Sequence, residues 1–229
     1  MSRNILAVGE FYHLYNRGTD KRIIFGDKQD YDRFVVLLYI TNSHVSVNVR
    51  EHLRQGRTLA DFFSIQREET LVDIGAYCLM PNHFHILIKE KNEGGTSLFM
   101  QKLLTSYSMY FNRKYERNGS LFQGKFKSEH ITQDTHLNYL FSYIHLNPVK
   151  LVDSQWKERG LKDLLKTKDF LKNYTHSSYL DYQGFIRDQQ KILTKEVFPD
   201  YFSEKRDFDK FIEDWLQYKF LPRSDLGKV

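Results

Sequence analysis

Hydrophobic and polar positions change period several times along the chain, and the changes set out an order of elements. Residues 9–17, GEFYHLYNR, read as a first strand that ends at Gly18, with a turn at Thr19 and Asp20. Tyr31, Phe34, Val35 and Leu38 then fall at i, i+3, i+4 and i+7, which predicts an amphipathic helix from Lys28 to about Thr41 with Asp27 as its N-cap. Residues 42–70 are polar and charged apart from Leu59, Phe62 and Phe63; they read as an insertion with a hint of one short helix. LVDIGAYCLM (71–80) and HFHILIKE (83–90) are paired strands joined by the turn Pro81-Asn82. A helix runs from Ser97 to about Tyr115, and a fourth strand covers 125–132. Asp134 or Thr135 caps a further helix, which must stop near Asn147 because Pro148 follows.

The order β–α–β–β–α–β plus a final helix predicts an α+β protein: a ferredoxin-like split βαβ antiparallel sheet with helices on one face. After Val149 the pattern loosens. Residues 161–171 and 208–215 read as helices and 173–184 as an ordered loop. Residues 151–229 are therefore expected to be a helical extension packed on a domain spanning 1–150.

Composition narrows the class. The 229 residues are 41% hydrophobic and 28% charged, ordinary for a soluble globular protein. No run reaches membrane-spanning length and the first residues have no signal-peptide pattern, so a cytoplasmic location and no membrane partner are expected. A lone cysteine, Cys78, excludes an intrachain disulfide framework and a cysteine-based zinc cluster. Net charge is +5, and it is uneven: the first 150 residues hold 19 basic against 15 acidic side chains, the rest 15 against 14. Basic charge alongside 15 Tyr and 18 Phe suits single-stranded nucleic acid, whose bases stack on aromatic rings. The two features interleave most densely in FNRKYERNGSLFQGKFKS (111–128), where Arg113, Lys114, Arg117, Lys125 and Lys127 stand among four rings.

Candidate chemistry centres on His83 and His85. One residue apart on a strand, they point to the same side, with Phe84 opposite. In the later helix Tyr143 and Asn147 are four apart and share a face. Two imidazoles and an amide oxygen make a three-ligand site suited to Mg²⁺ or Mn²⁺ acting as Lewis acid on a phosphodiester. A tyrosine beside it is a nucleophile that yields a phosphotyrosine. Tyr139, Tyr107 and Tyr110 are alternative nucleophiles, and Asn147 read alone is also a plain helix cap before proline. His13 reads as a structural strand histidine that could face the pair from a neighbouring strand; His145 points away from Tyr143.

His83-Phe84-His85 within YCLMPNHFHILI resembles the histidine–hydrophobic–histidine (HUH) motif of single-tyrosine transposases, and the REP-associated tyrosine transposases most of all. YNRGTDKRIIF, YFNRKYERNGSLFQGKFKS and YIHLNPVK carry the resemblance over roughly residues 10–150, with a weaker echo in SSYLDYQG. It implies a single-strand DNA endonuclease. Tyr143 would attack the scissile phosphate and leave a 5′-phosphotyrosine, while His83, His85 and Asn147 hold Mg²⁺ or Mn²⁺. Arg17, with Arg113, Lys114, Arg117, Lys125 and Lys127, would contact DNA carrying a REP-like hairpin, the protein being a monomer or homodimer. The alternative within the resemblance is a domesticated relative that binds or nicks hairpins and moves nothing. The 42–70 insertion and the long tail depart from the family pattern.

Overall fold

The computed structural model describes residues 6–202 and 204–217; residues 1–5 and 218–229, the outer ends of the two expected regions, and position 203 lie outside the described residues. Four strands, β1 (Phe11–Arg17), β2 (Val72–Met80), β3 (His83–Glu90) and β4 (Lys127–Ile131), form one antiparallel sheet in the order β2-β3-β1-β4. The α-helices are α1 (Lys28–Ile40), α2 (Val49–Arg54), α3 (Gly95–Lys114), α4 (Asp134–Leu146), α5 (Trp156–Arg159), α6 (Leu164–Asn173), α7 (Tyr179–Tyr182) and α8 (Lys205–Gln217). Strand order and direction are those of the split βαβ arrangement expected from the sequence.

Strand alternation divides the core in two. Leu14, Val72, Ile74, Phe84, Ile86 and Ile88 face one side, where they pack with Phe34 and Leu38 of α1 and Phe99, Leu103 and Tyr107 of α3. Cys78, Met80, Leu87 and Ile131 face the other, against Leu137, Leu140, Phe141 and Ile144 of α4. The two crossover helices thus share one face, and the final helix covers the opposite one. Each large apolar side chain buried this way contributes about 1.5–3 kcal/mol.

Between Ile74 and Ala76 the β2–β3 register slips by a bulge. Gly75 sits there because a Cβ would lie 2.7 Å from the Phe198 ring, which packs on the α4 face. The outer edge of β2 is closed by a later segment. Leu79 N–H donates to His176 O at 3.0 Å and Ser178 N–H to Tyr77 O at 2.9 Å, so the segment runs antiparallel to the strand. Arg187 holds it, with two bonds of 2.8 and 2.6 Å to the buried Asp181 and one of 3.0 Å to Thr175 O.

The insertion begins and ends at one point. Asn42 accepts from Leu71 N–H and Val72 N–H and donates to Val72 O. Phe62 and Phe63 anchor the excursion in the α1/α3 core, so it lies on the face opposite the histidine pair. Beside the expected short helix, which is a 3₁₀ turn at Ala60–Ser64, it holds α2, which polar composition hid. Two caps differ from expectation. The N-cap of α4 is Gln133, without a side-chain bond, because the Asp134 carboxylate is taken by the Tyr201 hydroxyl. Helix α3 starts at Gly95 rather than Ser97, because the buried Glu90 carboxylate accepts from Thr96 N–H at 3.2 Å and so caps its first turn.

Candidate active site

His83 and His85 emerge from β3 on the face that α4 covers, their ring centres 5.0 Å apart and their planes near perpendicular. Helix α4 ends at Leu146, and a 3₁₀ turn, Asn147–Leu151, continues from it through Pro148. This places Tyr143 and Asn147 over the sheet beside the pair. The Tyr143 ring lies 5.2 Å from the His85 ring, edge to face. The four residues singled out from the sequence therefore meet. Of the alternative nucleophiles, Tyr107 and Tyr110 lie across the sheet, bonded to Ile24 O and Asp30. Tyr139, 6.1 Å from Tyr143, packs against Trp215. His145 is buried away from the site, 2.8 Å from Ser178 Oγ.

A hydrogen bond fixes which nitrogen of His83 is available. Asn82 donates through Nδ2 to Lys21 O, so its Oδ1 faces His83 Nδ1 at 2.6 Å. His83 Nδ1 therefore carries the proton, and Nε2 keeps its lone pair. His85 Nδ1 is 2.9 Å from Nε2 of His13, which sits on β1. Burial, then the neighbouring His13 and His83, push His85 well below its ordinary pKa; burial, then Lys150 and Arg17, bring His83 down to about 4. Both rings are neutral near pH 7, the form that ligates a metal. The Tyr143 phenol is half-buried, and burial raises it to about 12 against an opposing effect of Asn147.

His85 Nε2 and both amide atoms of Asn147 are buried without a hydrogen-bond partner among the described residues. Asn147 is the C-cap residue of α4, and its amide is held out of solvent one turn from Tyr143. Among the described residues no group of three or more His, Cys, Asp or Glu side chains is placed to hold a metal ion. A cation here would rest on the two imidazoles and the Asn147 oxygen, a donor set that fits Mg²⁺ or Mn²⁺.

Cations rim the site. Lys157 Nζ stands 4.7 Å and Lys150 Nζ 5.8 Å from the centre of the Tyr143 ring, and Arg17 pairs across from His83 in the β1–β3 register. The two lysines were not singled out from the sequence: Lys150 is the last residue of YIHLNPVK, and Lys157 lies in the loosely patterned stretch beyond it. Of the other basic residues, Arg113, Lys125 and Lys127 are exposed, and Arg117 is tied to Asn112. The Lys114 ammonium lies 2.7 Å from both Asp27 and the buried Asp30, where it joins α3 to α1. No helix among the described residues is long and apolar enough to cross a membrane.

Comparison with known proteins adds a family match over part of the chain. A search of the curated proteins gave no match. Among solved structures, a REP-associated tyrosine transposase bound to a REP hairpin is 13% identical with a TM-score of 0.45, covering 82% of this chain and 88% of its own. The tRNA(His) guanylyltransferase from Saccharomyces cerevisiae is 9% identical with a TM-score of 0.36, covering 97% and 85%. The family described as "Transposase IS200 like" matches residues 37–147, a stretch that contains His83, His85, Tyr143 and Asn147. Residues 37–147 thus match an IS200-like transposase domain.

Proposed function

We propose that the protein is a metal-dependent single-stranded DNA endonuclease and transposase that cuts and rejoins hairpin-bearing DNA through a 5′-phosphotyrosine on Tyr143. One observation carries this reading: His85 Nε2 is buried without a hydrogen-bond partner among the described residues, and the buried Asn147 amide and the Tyr143 ring stand beside it. Bound by His83 Nε2, His85 Nε2 and Asn147 Oδ1, Mg²⁺ or Mn²⁺ would supply Lewis-acid polarisation of the scissile phosphate.

The rest falls to the chain's own groups. The Tyr143 oxygen forms a bond to phosphorus as the bond from phosphorus to the 3′-oxygen breaks. The phenol proton leaves to solvent, and the departing 3′-oxygen takes one from solvent, giving a free 3′-OH. Attack by a different 3′-OH reverses the step and rejoins the strand. Lys150, Lys157 and Arg17 offset phosphate charge around the tyrosine. Arg113, Lys125 and Lys127 hold the flanking strand, with Lys114 serving the fold. The hairpin is proposed from the REP hairpin bound by the solved transposase, and the basic, ring-bearing segment 111–128 suits such a ligand.

The test is incubation of a pool of labelled single-stranded hairpin oligonucleotides with the full chain and Mn²⁺. A covalent protein–DNA adduct on a denaturing gel is expected, lost with EDTA and with Tyr143→Phe. An adduct that persists in Tyr143→Phe places the nucleophile elsewhere.

A further inference from the structure

Behind the histidine pair, on its sheet side, stands a second layer. His13 pairs with Leu87 of β3 on one side and with Glu129 of β4 on the other. Its ring is 98% buried, with Nε2 2.9 Å from His85 Nδ1 and Nδ1 3.8 Å from Glu129 Oε2. The other Glu129 oxygen lies 4.0 Å from His136 Nε2 in the first turn of α4, the helix that carries Tyr143.

Two proton arrangements satisfy the His13–His85 contact. In one, His85 Nδ1–H donates to His13 Nε2, and His85 Nε2 presents a lone pair to the site. In the other, His13 Nε2–H donates, and His85 turns an N–H toward the site, where it can ligate nothing. The carboxylate decides between them. Glu129 only accepts when ionised, and its neighbour His13 holds it below the usual carboxylate range. With the carboxylate 3.8 Å away, electrostatics favour the His13 proton on Nδ1, facing Glu129, which leaves Nε2 to accept from His85.

We propose that His13 and Glu129 are positioning residues that lock His85 into the tautomer whose Nε2 lone pair faces the site. This rests on the reading of His85 as a cation ligand and adds its outer shell: a carboxylate orienting one imidazole, which orients the next. Such partners set ligand basicity and ring orientation, and losing them typically costs about 10–100-fold in metal affinity.

Full-length protein labelled with ¹⁵N-histidine, observed by long-range ¹H–¹⁵N correlation without metal, reads the His85 tautomer directly; His85→Asn assigns the signal. Wild type should carry the proton on Nδ1. In His13→Leu the His85 proton should move to Nε2 in a large share of molecules, with Mn²⁺ affinity by calorimetry falling about 10–100-fold. His13→Gln, which keeps an acceptor near the lost nitrogen, should restore most of both. If His13→Leu does not fold, Glu129→Ala carries the test, since it leaves His13 in place and should give mixed His85 tautomers. An unchanged His85 tautomer in the folded variant, or Mn²⁺ affinity within twofold of wild type, overturns the proposal. If wild type binds no Mn²⁺, the cation reading fails by itself, and the tautomer spectra still decide the positioning role.

Discussion

Tyr143 presents its ring edge to His85 at a centroid distance of 5.2 Å, and burial holds its phenol near pKa 12. At working pH the nucleophile is almost wholly protonated. Below the pKa, the phenolate fraction rises tenfold per pH unit. The single-turnover rate of adduct formation should therefore climb from pH 6.5 to 9.5 without a plateau. Levelling near neutrality would mean that the attacking group ionises far more readily than this tyrosine.

His83 has its pKa lowered to about 4, burial being the largest cause, with Lys150 and Arg17 adding to it. A lowered value keeps the imidazole neutral in mild acid, where a free histidine is largely protonated. Mn²⁺ affinity at pH 5.5 should stay within about threefold of its value at pH 7.5, since the free histidine pKa of about 6.5 would predict a fall of roughly tenfold. Calorimetric titration at the two pH values distinguishes these.

Acid should act on the fold through His145. Its folded pKa is about 3 because it is fully buried, against an ordinary value near 6.5. Below pH 6.5 the unfolded chain binds a proton that the folded chain refuses, so stability falls as pH drops toward 3. His145→Leu removes the 2.8 Å bond to Ser178 Oγ, which keeps its bonds to Tyr77, and should lower stability at pH 7 by about 0.5–1.5 kcal/mol. The same variant should flatten the acid limb. Urea midpoints measured from pH 7 to 4.5 check both.

Arg187→Met should destabilise more severely, by about 3–5 kcal/mol, because it leaves the Asp181 carboxylate buried without its partner. Thermal unfolding should show the loss at both low and high salt, since the pair is shielded from solvent.

Much of this was legible from residue pattern. Alternation placed His83 and His85 on one strand face, helical spacing placed Tyr143 and Asn147 on one helix face, and strand order followed from element order. For His13 the sequence offered both a structural reading and a place facing the pair, without deciding between them. Its contact with His85 depends on the β1–β3 register, and a slip of one residue would have turned it to the α1/α3 core. Lys150 and Lys157 were hidden for a different reason: lysines near helix ends and in weakly periodic stretches look alike until tertiary structure places two of them over a tyrosine. The α2 helix escaped because its residues, VREHLR, bury too little to leave a stripe.

Closure of the β2 edge by residues 176–178 also sets an order of events for a chain emerging from the ribosome. Tyr77 and Ser178 are 101 residues apart, so this pairing has a large loop-closure cost and forms late. Until then the nascent sheet carries two bare edges, and bare edges recruit other chains. Truncation before residue 176 should therefore yield a protein that keeps every residue of the histidine–tyrosine site yet aggregates as it is made.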